Sequence, residues 1–549
     1  MTFATGTATL RGVVHTTEEL RVALSRPDLY PAHPERVEVR ETHISWVFLA
    51  GDRAFKLKKE IVLPFLDYGT PQRRRAMCHE EVRLGRRLAA DVYLGVRAIA
   101  VGPHGPRLAA EDDPYAVDYL VEMRRYDERH TLRARLADGE LTRGEVLAVA
   151  RVLAEFHARA RQVASANVSA RALERRMTEN FHELLAIVEE RSEVARVLAL
   201  ERFAHAFLTA HAQLLELRAQ RGLVREVHGD LRAEHILLNG AVRVVDCVEF
   251  DRALRELDVA DDLAFLAMDL TARGGERFAR MLVEAYREAG GDPGEDRLIA
   301  FYAAHRALVR AKVALVRAAE RPPASAAHGH DSATARDLLA LAERFAWRAR
   351  LPLAIVLCGL PASGKSHLAQ ALAAASGLAH LSSDVERKHL AGIAAHERAP
   401  AARYSPDFNT LTYAELGRRA AREVAAHGGV LVDATFRHRV DRDAFARGFA
   451  GAAPLLFVEC HTPPAALARH AQLRDRGPRG ASDASLPVVL RERSTWEPLD
   501  EIPPEAHILV RGDHPAEALL ADLLGLLDQR IGLGASRDAE LASAPRGTL

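Results

Sequence analysis

The spacing of apolar residues changes along the chain, and these changes mark out its elements. Between Val37 and Lys59 the apolar residues form short runs that are broken by the turn residues Gly51 and Asp52, which is typical of paired strands. Further along, apolar residues recur every three or four positions with Arg and Glu between them, and this predicts amphipathic helices. The helical stretches are 72–90, 142–163, 172–219 and 297–319. The pattern predicts a small β-rich lobe followed by a large helical lobe.

The periodic pattern breaks at residues 321–336, where Pro, Ser, Ala, Gly and His predominate, and we interpret this segment as an interdomain linker. A helix is predicted at 337–350, and a strand from Leu353 to Cys358 opens a second region. Further strand-like runs follow at helix-sized intervals, at 378–381, 430–432, 455–459 and 508–510. Strands that alternate with helices predict a parallel sheet wrapped by helices.

These patterns predict a multidomain protein. The expected N-terminal domain covers residues 1–335, with a small lobe at about 35–121, a large lobe at about 122–320 and the linker at its end. The expected C-terminal domain is an α/β domain at 351–531. The last segment, 532–549, is small and polar without an apolar stripe, so we expect a disordered tail.

Composition narrows the class of protein. Apolar residues make up 48% of the 549 residues, and 75 basic side chains balance 75 acidic ones, so the chain has no overall attraction to polyanions. The four cysteines stand singly, without the paired spacing of a zinc site or a disulfide framework. No apolar stretch approaches the roughly 18 residues that would span a bilayer. We therefore expect a cytoplasmic protein with no membrane association.

The segment GLPASGKS satisfies the pattern GxxxxGK(S/T) and lies between the strand ending at Cys358 and a helical run from His367 to Ala375. Its glycines allow the backbone to wind so that amide groups face phosphates at the positive end of a helix. We expect Lys365 to reach the β and γ phosphates of ATP and Ser366 to bind Mg²⁺. The predicted nucleotide-binding residues of this loop are Gly359, Leu360, Pro361, Ala362, Ser363, Gly364, Lys365 and Ser366.

Two acidic residues follow predicted strands of this domain. Asp433 comes after GGVLV, in the position of a carboxylate that holds Mg²⁺ through water, and Asp384 comes after HLSS, where it can accept a proton from an attacking hydroxyl. Ligands of parallel sheets bind at the carboxyl ends of the strands, which is where both residues are expected. Each could instead cap the helix that follows its strand.

The loop GLPASGKS, the segment SSDVERKHL, the strand GGVLVDATF and the later QLRDRGPRG resemble the P-loop kinases that include phage polynucleotide kinase and the zeta-toxin-like kinases. The resemblance covers roughly residues 353–515. It implies that Asp384 activates the acceptor hydroxyl and that Arg387 holds the acceptor. It also implies that lid arginines, here Arg474 and Arg476, neutralise the charge on the transferred phosphate.

In the N-terminal half, VHGDLRAEHILL followed by VRVVDCVEFD has the order and spacing of a kinase catalytic loop and its metal-binding aspartate. Together with AFK and the helix CHEEVRLGRRL, these segments resemble the aminoglycoside phosphotransferase branch of the bilobal, α+β protein-kinase-like fold, over about residues 35–345. The resemblance implies that Lys56 positions the α and β phosphates of ATP and that Glu81 is its ion-pair partner. It makes Asp230 the catalytic base and Asp246 a Mg²⁺ ligand.

One position of this half departs from the family pattern. His235 stands where the family has an asparagine that binds the second metal ion, and imidazole is a poor ligand for Mg²⁺, which prefers oxygen. This substitution leaves open whether the N-terminal domain transfers phosphate or is a degenerate kinase fold.

The whole chain resembles bacterial two-domain proteins that join an aminoglycoside phosphotransferase-like domain to an AAA-type P-loop kinase domain. The leading hypothesis is an ATP- and Mg²⁺-dependent phosphotransferase acting on the hydroxyl group of an unidentified acceptor, with a small molecule favoured over nucleic acid. A second hypothesis, motivated by His235, is an ATP-sensing regulatory protein with a pseudokinase-like N-terminal half. A third is a nucleic acid 5'-end kinase, which needs a basic groove near Asp384. Candidates for that groove are Arg387, Lys388, Arg398, Arg403, Arg418 and Arg419.

Overall fold

The computed structural model describes residues 16–63, 66–103, 105–163, 170–394, 397, 400–476 and 486–530. The chain divides into two compact units. The first is formed by Met1–Val168 and Arg218–Gly294, and the second by Ser169–Leu217 and Glu295–Leu549. Within the described ranges, no helix is both long enough and apolar enough to cross a membrane.

An antiparallel sheet of six strands forms the small lobe of the first unit, in the order β1-β2-β3-β8-β6-β7, and a separate ribbon pairs β4 with β5. The strands are β1 Val37–Glu41, β2 Ser45–Ala50, β3 Arg53–Lys58, β4 Val62–Leu63, β5 Leu66–Asp67, β6 Tyr93–Gly102, β7 Gly105–Ala109 and β8 Ala116–Arg124. Side chains alternate between the two faces of a strand. Trp46 and Phe48 therefore pack into one apolar cluster while Leu49 packs into another. The strands predicted between Val37 and Lys59 are confirmed.

Helices flank this sheet and begin the large lobe. They are α1 Thr17–Leu24, α2 Pro71–Ala89, α3 Leu132–Ala137 and α4 Arg143–Arg159. The start of α4 is fixed by a capping box in which Thr142 and Glu145 each satisfy the other's backbone amide. Pro71 begins α2 after the cap residue Thr70. The predicted helices at 72–90 and 142–163 are present, and α4 ends four residues earlier than predicted.

The chain then passes through the second unit and returns to the first. The next elements are α5 Ala170–Ile187, α6 Arg191–Ala210, α7 Ala212–Gln220, β9 Val224–Glu226, β10 Ile236–Asn239, β11 Ala241–Val244, β12 Glu256–Asp258, α8 Val259–Ala272 and α9 Glu276–Glu288. Strand β9 pairs with β12, and β10 pairs with β11, both antiparallel. The loops between these short strands carry the predicted catalytic-loop residues of the N-terminal half.

Two long helices, α10 Asp296–Ala319 and α11 Ala326–Ala349, follow within the second unit. From residue 326 onward, the segment predicted as a linker at 321–336 is helical and forms the start of α11. The Ser325 hydroxyl caps α11 by accepting a hydrogen bond from the His328 amide, and the alanines of this stretch favour helix. Its polar composition suggested a linker, yet Ala335 and Leu339 are buried.

A parallel five-stranded sheet with helices on both faces forms the C-terminal half, which confirms the predicted α/β architecture. Its elements are β13 Leu353–Cys358, α12 Lys365–Ser376, β14 Ala379–Ser382, α13 Ser383–Leu390, α14 Pro406–His427, β15 Gly429–Asp433, α15 Arg439–Phe449, β16 Leu455–His461, α16 Pro464–Arg476, α17 Leu486–Ser494, β17 His507–Arg511 and α18 Ala516–Asp528. The strand order is β14-β15-β13-β16-β17, and every pairing is parallel. The predicted tail at 532–549 lies outside the described residues.

The central strand β13 is apolar throughout because both of its faces are buried. Val356 packs into the core on one side of the sheet and Ile355 into the core on the other. The second core also includes Trp347 of α11, and the nearby Arg350 forms a buried ion pair with Asp528 of α18 at 2.6 Å. Helix α11 is thus packed directly onto the P-loop half. Helices α5, α6 and α10, which the sequence placed in an N-terminal domain of residues 1–335, share this compact unit.

Candidate functional site

The loop between β13 and α12 has the wound backbone that a phosphate-binding loop requires. Gly359, Ala362 and Gly364 all have positive φ, at 139°, 67° and 90°. A Cβ atom on Gly364 would lie 2.8 Å from the carbonyl oxygen of Gly512, and one on Gly359 would lie 2.7 Å from the carbonyl oxygen of Cys460. Only glycine fits at these two positions. The amide groups of the first turn of α12 have no partner within the helix, so they are available to an anion.

Asp433 ends β15 beside this loop. In the sheet register it pairs with Leu357 of β13 on one side and with Ser382 of β14 on the other. Burial would raise the pKa of Asp433, but the nearby His380 side chain and the charge of Lys365 hold that pKa below its ordinary value. The carboxylate is therefore ionised at the carboxyl edge of the sheet.

The Asp433 carboxylate fits a magnesium ion. Its Oδ1 atom is buried and has no hydrogen-bond partner among the described residues, while Oδ2 lies 3.6 Å from Nε2 of His380. The Ser366 hydroxyl is among the groups that lower the pKa of Asp433, so the two predicted ligands lie together. A buried carboxylate oxygen without a partner is unfavourable unless a cation or water completes it. Mg²⁺ takes such oxygens as ligands, together with hydroxyl and phosphate oxygens.

Helix α13 carries Asp384 and Arg387 at the same edge of the sheet, since it begins where β14 ends next to Asp433. Arg387 is buried and rigidly held. Its Nη1 donates to the backbone oxygen of Arg403 at 2.9 Å and to Oδ1 of Asn409 at 2.6 Å. Its guanidinium carbon lies 4.7 Å from the centre of the Tyr404 ring. This immobilisation suits a group that orients a bound molecule.

Two residues that sequence reasoning missed also belong to this region. Arg437 follows β15 by four residues, and its Nη1 lies 3.7 Å from Oε1 of Glu492 in α17. Burial raises the pKa of Glu492, the charges of Arg437 and Lys365 lower it, and Asp384 raises it further. Glu492 is thus in electrostatic contact with both the P-loop lysine and the predicted base. Arg437 lies in the segment DATFRHR, which begins at Asp433, so its position close to the predicted carboxylate could have indicated a role. No local sequence pattern indicated Glu492.

The predicted lid arginines, Arg474 and Arg476, occupy the last turn of α16. Their side chains lie outside the described part of the structure. Their roles therefore stay predictions.

In the first unit, the structure brings together the predicted lysine, glutamate and metal-binding aspartate. Lys56 Nζ donates to Oε1 of Glu81 at 2.8 Å and to Oδ1 of Asp246 at 2.9 Å, so the predicted ion pair with Glu81 is present. Asp246 has a positive φ of 61°, and its amide donates to the hydroxyl oxygen of Tyr93. Burial would raise the pKa of Asp246, but the ammonium group of Lys56 holds it well below its ordinary value.

The catalytic-loop segment is anchored by a carboxylate that the sequence did not single out for chemistry. Asp262 of α8 accepts hydrogen bonds from the amides of His228 and Gly229, at 3.1 and 2.8 Å. It also bonds His157 at 3.1 Å. Because Asp262 is fully buried, this network fixes the backbone just before Asp230.

Asp230 itself is engaged by its neighbour Arg232. The Nε and Nη2 atoms of Arg232 donate to the two carboxylate oxygens of Asp230 at 2.9 and 2.8 Å, a bidentate pair. His235 is close by, with Nδ1 2.9 Å from the backbone oxygen of Asp230 and Nε2 3.2 Å from Nη2 of Arg232. The structure thus places the four predicted residues Lys56, Glu81, Asp246 and Asp230 in one unit, with His235 beside Asp230.

Neither half presents a cluster of acidic, histidine or cysteine side chains that would by itself hold a metal: among the residues described, no group of three or more such side chains is arranged for one. In the P-loop half this is consistent with magnesium, since a single carboxylate, a hydroxyl and phosphate oxygens suffice. In the first unit, Asp246 fits a metal ligand better than His235, both of whose ring nitrogens are in hydrogen bonds.

Family models match both the N-terminal and the C-terminal half of the chain. The model of the phosphotransferase enzyme family matches residues 56–301, and that of an AAA domain matches residues 355–499. The uncharacterized protein Rv2004c of Mycobacterium tuberculosis is 33% identical over 417 residues, which are 74% of this chain and 80% of that protein. The uncharacterized protein Mb2027c of Mycobacterium bovis gives the same values.

Two of the solved structures that are similar to this chain are kinases. A choline/ethanolamine kinase family protein from Mesorhizobium loti is 14% identical, with a TM-score of 0.35, and the match covers 59% of this chain and 98% of that one. A gluconokinase from Sinorhizobium meliloti is 22% identical, with a TM-score of 0.26, and the match covers 36% of this chain and 99% of that one. From the extent of the match to the mycobacterial relatives, the chain belongs to their family, with an N-terminal domain of the phosphotransferase enzyme family and a C-terminal AAA domain.

Proposed function

We propose that the C-terminal half is an ATP- and Mg²⁺-dependent kinase that transfers the γ-phosphate of ATP to a hydroxyl group of a small molecule. The observation that carries this proposal is the buried Oδ1 of Asp433, which has no hydrogen-bond partner among the described residues. Asp433 lies next to the wound loop and pairs in register with Ser382, the residue directly before α13. Bound magnesium would neutralise phosphate charge there, held by Ser366 and by Asp433. Lys365 would contact the β and γ phosphates.

The acceptor side of the reaction rests on α13. Asp384 would accept the proton of the attacking hydroxyl, and the immobilised Arg387 would hold the acceptor in line. Arg474 and Arg476 would neutralise charge on the transferred phosphate, as the resemblance implies. Since ATP is a cytoplasmic substrate, the proposal also assigns the protein to the cytoplasm.

Charge pairing supports a small acceptor over nucleic acid. Arg419 donates to Glu386 at 2.9 Å. Arg418 and Arg422 both pair with Glu415, at 2.7 and 3.0 Å. Phosphate backbones bind where basic side chains present uncompensated charge. These arginines are neutralised by carboxylates of the same surface, so they do not supply a basic groove beside Asp384.

For the N-terminal half we propose ATP binding through Lys56, with Glu81 and Asp246 holding its ammonium group in place. Both halves would then bind ATP, and the regulatory alternative differs only in whether phosphate is transferred. That alternative draws support from the engagement of Asp230 by Arg232.

The test is ADP release by full-length protein carrying Asp230→Ala, screened against small hydroxyl compounds and 5'-hydroxyl oligonucleotides. Adding Lys365→Ala should abolish turnover, and adding Asp384→Asn should lower turnover while ATP binding is retained. Matched controls are Gln370→Ala on α12 and His389→Ala on α13, two exposed residues that should leave turnover unchanged. Equal turnover with and without Lys365→Ala would contradict the proposal. Oligonucleotide phosphorylation would favour the 5'-end kinase.

A further inference from the structure

In the first unit, the loop that carries Asp230 is fixed at both ends. Asp262 holds the amides of His228 and Gly229, and Asp269 accepts a hydrogen bond from the amide of Ala233 at 2.9 Å. All three hydrogen bonds involve buried carboxylates, which makes them strong. The side chains that project from this loop therefore have defined positions relative to each other.

His235 offers no ligand atom to a metal ion in this arrangement. Arg232 Nη2 carries only hydrogen-bond donors, so the Nε2 atom of His235 must accept from it. The ring proton is then on Nδ1, which donates to the backbone oxygen of Asp230. The one lone pair of the neutral ring is thus directed at a guanidinium group. An asparagine at this position would have offered a carbonyl oxygen, the kind of ligand that Mg²⁺ prefers.

Arg232 supplies a positive charge next to His235, where the second metal ion would otherwise bind. Its side chain is only 11% exposed, and its guanidinium contacts Asp230, Glu234 and His235. Burial would lower the pKa of Arg232, but the Asp230 and Glu234 carboxylates hold it above its ordinary value, so the charge is permanent. A planar guanidinium binds phosphate oxygens in the same bidentate fashion in which it now binds Asp230.

We propose that Arg232 takes the place of the second metal ion in the N-terminal site. This half then binds ATP with a single metal ion, held by Asp246, and directs the Arg232 guanidinium at the γ-phosphate. The inference rests on the proposed ATP binding through Lys56 and is independent of the C-terminal kinase.

The chemistry of phosphate transfer is compatible with an arginine in place of the second metal ion. The acceptor oxygen forms a bond to the γ-phosphorus, the bond from that phosphorus to the β-bridging oxygen breaks, and ADP leaves with the electron pair. The acceptor's proton passes to the carboxylate of Asp230. Protonation of Asp230 removes a negative charge from beside Arg232 as the phosphoryl group moves. The guanidinium, already directed at the γ-phosphate in the ATP complex, therefore interacts more strongly with the transferred phosphoryl group.

The experiment measures the number of metal ions bound per nucleotide and does not depend on turnover. Full-length protein with Lys365→Ala is titrated with Mn²⁺ in the presence of ADP or a non-hydrolysable ATP analogue, and free Mn²⁺ is followed by electron paramagnetic resonance. The same protein with Lys56→Ala as well gives the background, and the difference is the N-terminal site. We expect one Mn²⁺ per bound nucleotide. Two per nucleotide, falling to one in His235→Ala, would overturn the proposal.

A second measurement tests the role of Arg232 directly. In the Lys365→Ala background, Arg232→Gln should weaken binding of the ATP analogue by about tenfold or more, as expected for loss of a charged hydrogen bond, while ADP binding changes little. Arg232→Lys should retain part of the preference for the triphosphate. The control is Arg252→Gln, which removes an exposed arginine paired with Glu256.

The double variant Arg232→Gln/His235→Asn, which restores an oxygen ligand, should bind two Mn²⁺ per nucleotide. Equal weakening of the analogue and ADP by Arg232→Gln would make Arg232 merely structural and contradict the inference. Tighter analogue binding in Arg232→Gln would show that Arg232 suppresses the site, which also contradicts it. Absence of Lys56-dependent nucleotide binding would refute the inference together with ATP binding by this half, and would leave the C-terminal kinase untouched.

Discussion

Lys58 and Glu249 form an ion pair in which neither side chain reaches solvent: Lys58 is 0% exposed and Glu249 is 5% exposed. Lys58 lies on the same face of β3 as Lys56, two residues along, and Glu249 lies three residues after Asp246. Glu81 accepts from both lysines, at 2.8 and 2.7 Å. The pair therefore ties the segment behind the predicted metal-binding aspartate to the strand that carries the predicted phosphate-binding lysine.

Removing one partner of this pair should destabilise the first unit strongly. Lys58→Met leaves the buried carboxylate of Glu249 without its cation, and Glu249→Gln leaves the buried ammonium group of Lys58 to share Glu81 with Lys56. Each should lower the free energy of unfolding by about 3–5 kcal/mol, whereas the double variant should be less destabilised than the sum of the two. Trp46 is the only tryptophan of the first unit, so urea unfolding followed by its fluorescence in a Trp347→Phe/Trp496→Phe background reports on this unit.

The control for this prediction is Lys59→Met. Lys59 pairs with the exposed Glu41, and such a pair contributes little to stability. A Lys58→Met protein that unfolds at the same urea concentration as the Lys59→Met protein would show that the buried pair is dispensable.

Gly364→Ala should abolish nucleotide binding at the P-loop. The new Cβ would lie 2.8 Å from the carbonyl oxygen of Gly512, so the loop must shift away from the geometry that its φ of 90° defines. Gly377 at the end of α12 also has a positive φ, 72°, but has open space around it. Gly377→Ala therefore reproduces the backbone strain alone. In proteins that also carry Lys56→Ala, which removes the proposed N-terminal site, isothermal titration with MgATP should show binding in Gly377→Ala and none in Gly364→Ala. Binding in both would refute this interpretation of the loop.

The sequence predicted the P-loop half well because its signals are local. The strand at Leu353–Cys358 was located to the residue, since an apolar run followed by a glycine-rich loop has few other readings. The start of α11 was missed because its cap at Ser325 follows two prolines and its first turns contain Gly329, which favours a linker by composition alone. Tertiary packing stabilises the helix there, and amino-acid composition alone does not reveal such packing.

The side chains that sequence reasoning missed all depend on contacts between distant segments. Arg232 was inside a motif that was read correctly, yet its bond to His235 depends on how the loop folds. Glu492 lies more than a hundred residues from Lys365, and Lys58 is 191 residues from Glu249. Such pairings are set by tertiary structure, which no spacing within a short window encodes.

Acid should destabilise the first unit through His228. This residue is buried, and desolvation lowers its pKa to about 4, against an ordinary value of 6.5. Between these values the unfolded chain binds a proton that the folded protein does not, so stability is present above pH 6.5 and is lost as the pH falls towards 4. The loss from this one group should be about 3 kcal/mol. The Trp46 unfolding assay, repeated across this range, should show a smaller pH dependence in His228→Asn. An unchanged slope would contradict the assignment.

Replacing Glu492 by Gln should tighten ATP binding at the C-terminal site. The buried Oε2 atom of Glu492 has no hydrogen-bond partner in the described part of the chain, and the carboxyl interacts with Lys365, the residue expected to meet the phosphates. A triphosphate brought to Lys365 meets this acidic group, so removing the carboxylate should raise affinity by up to about tenfold, or about 1.4 kcal/mol. Glu505→Gln removes the same charge from an exposed position and serves as the control. Titration of MgATP into proteins carrying Lys56→Ala isolates the C-terminal site. Weaker binding in Glu492→Gln would mean that Glu492 helps to hold Lys365 and Arg437 in place rather than opposing the nucleotide.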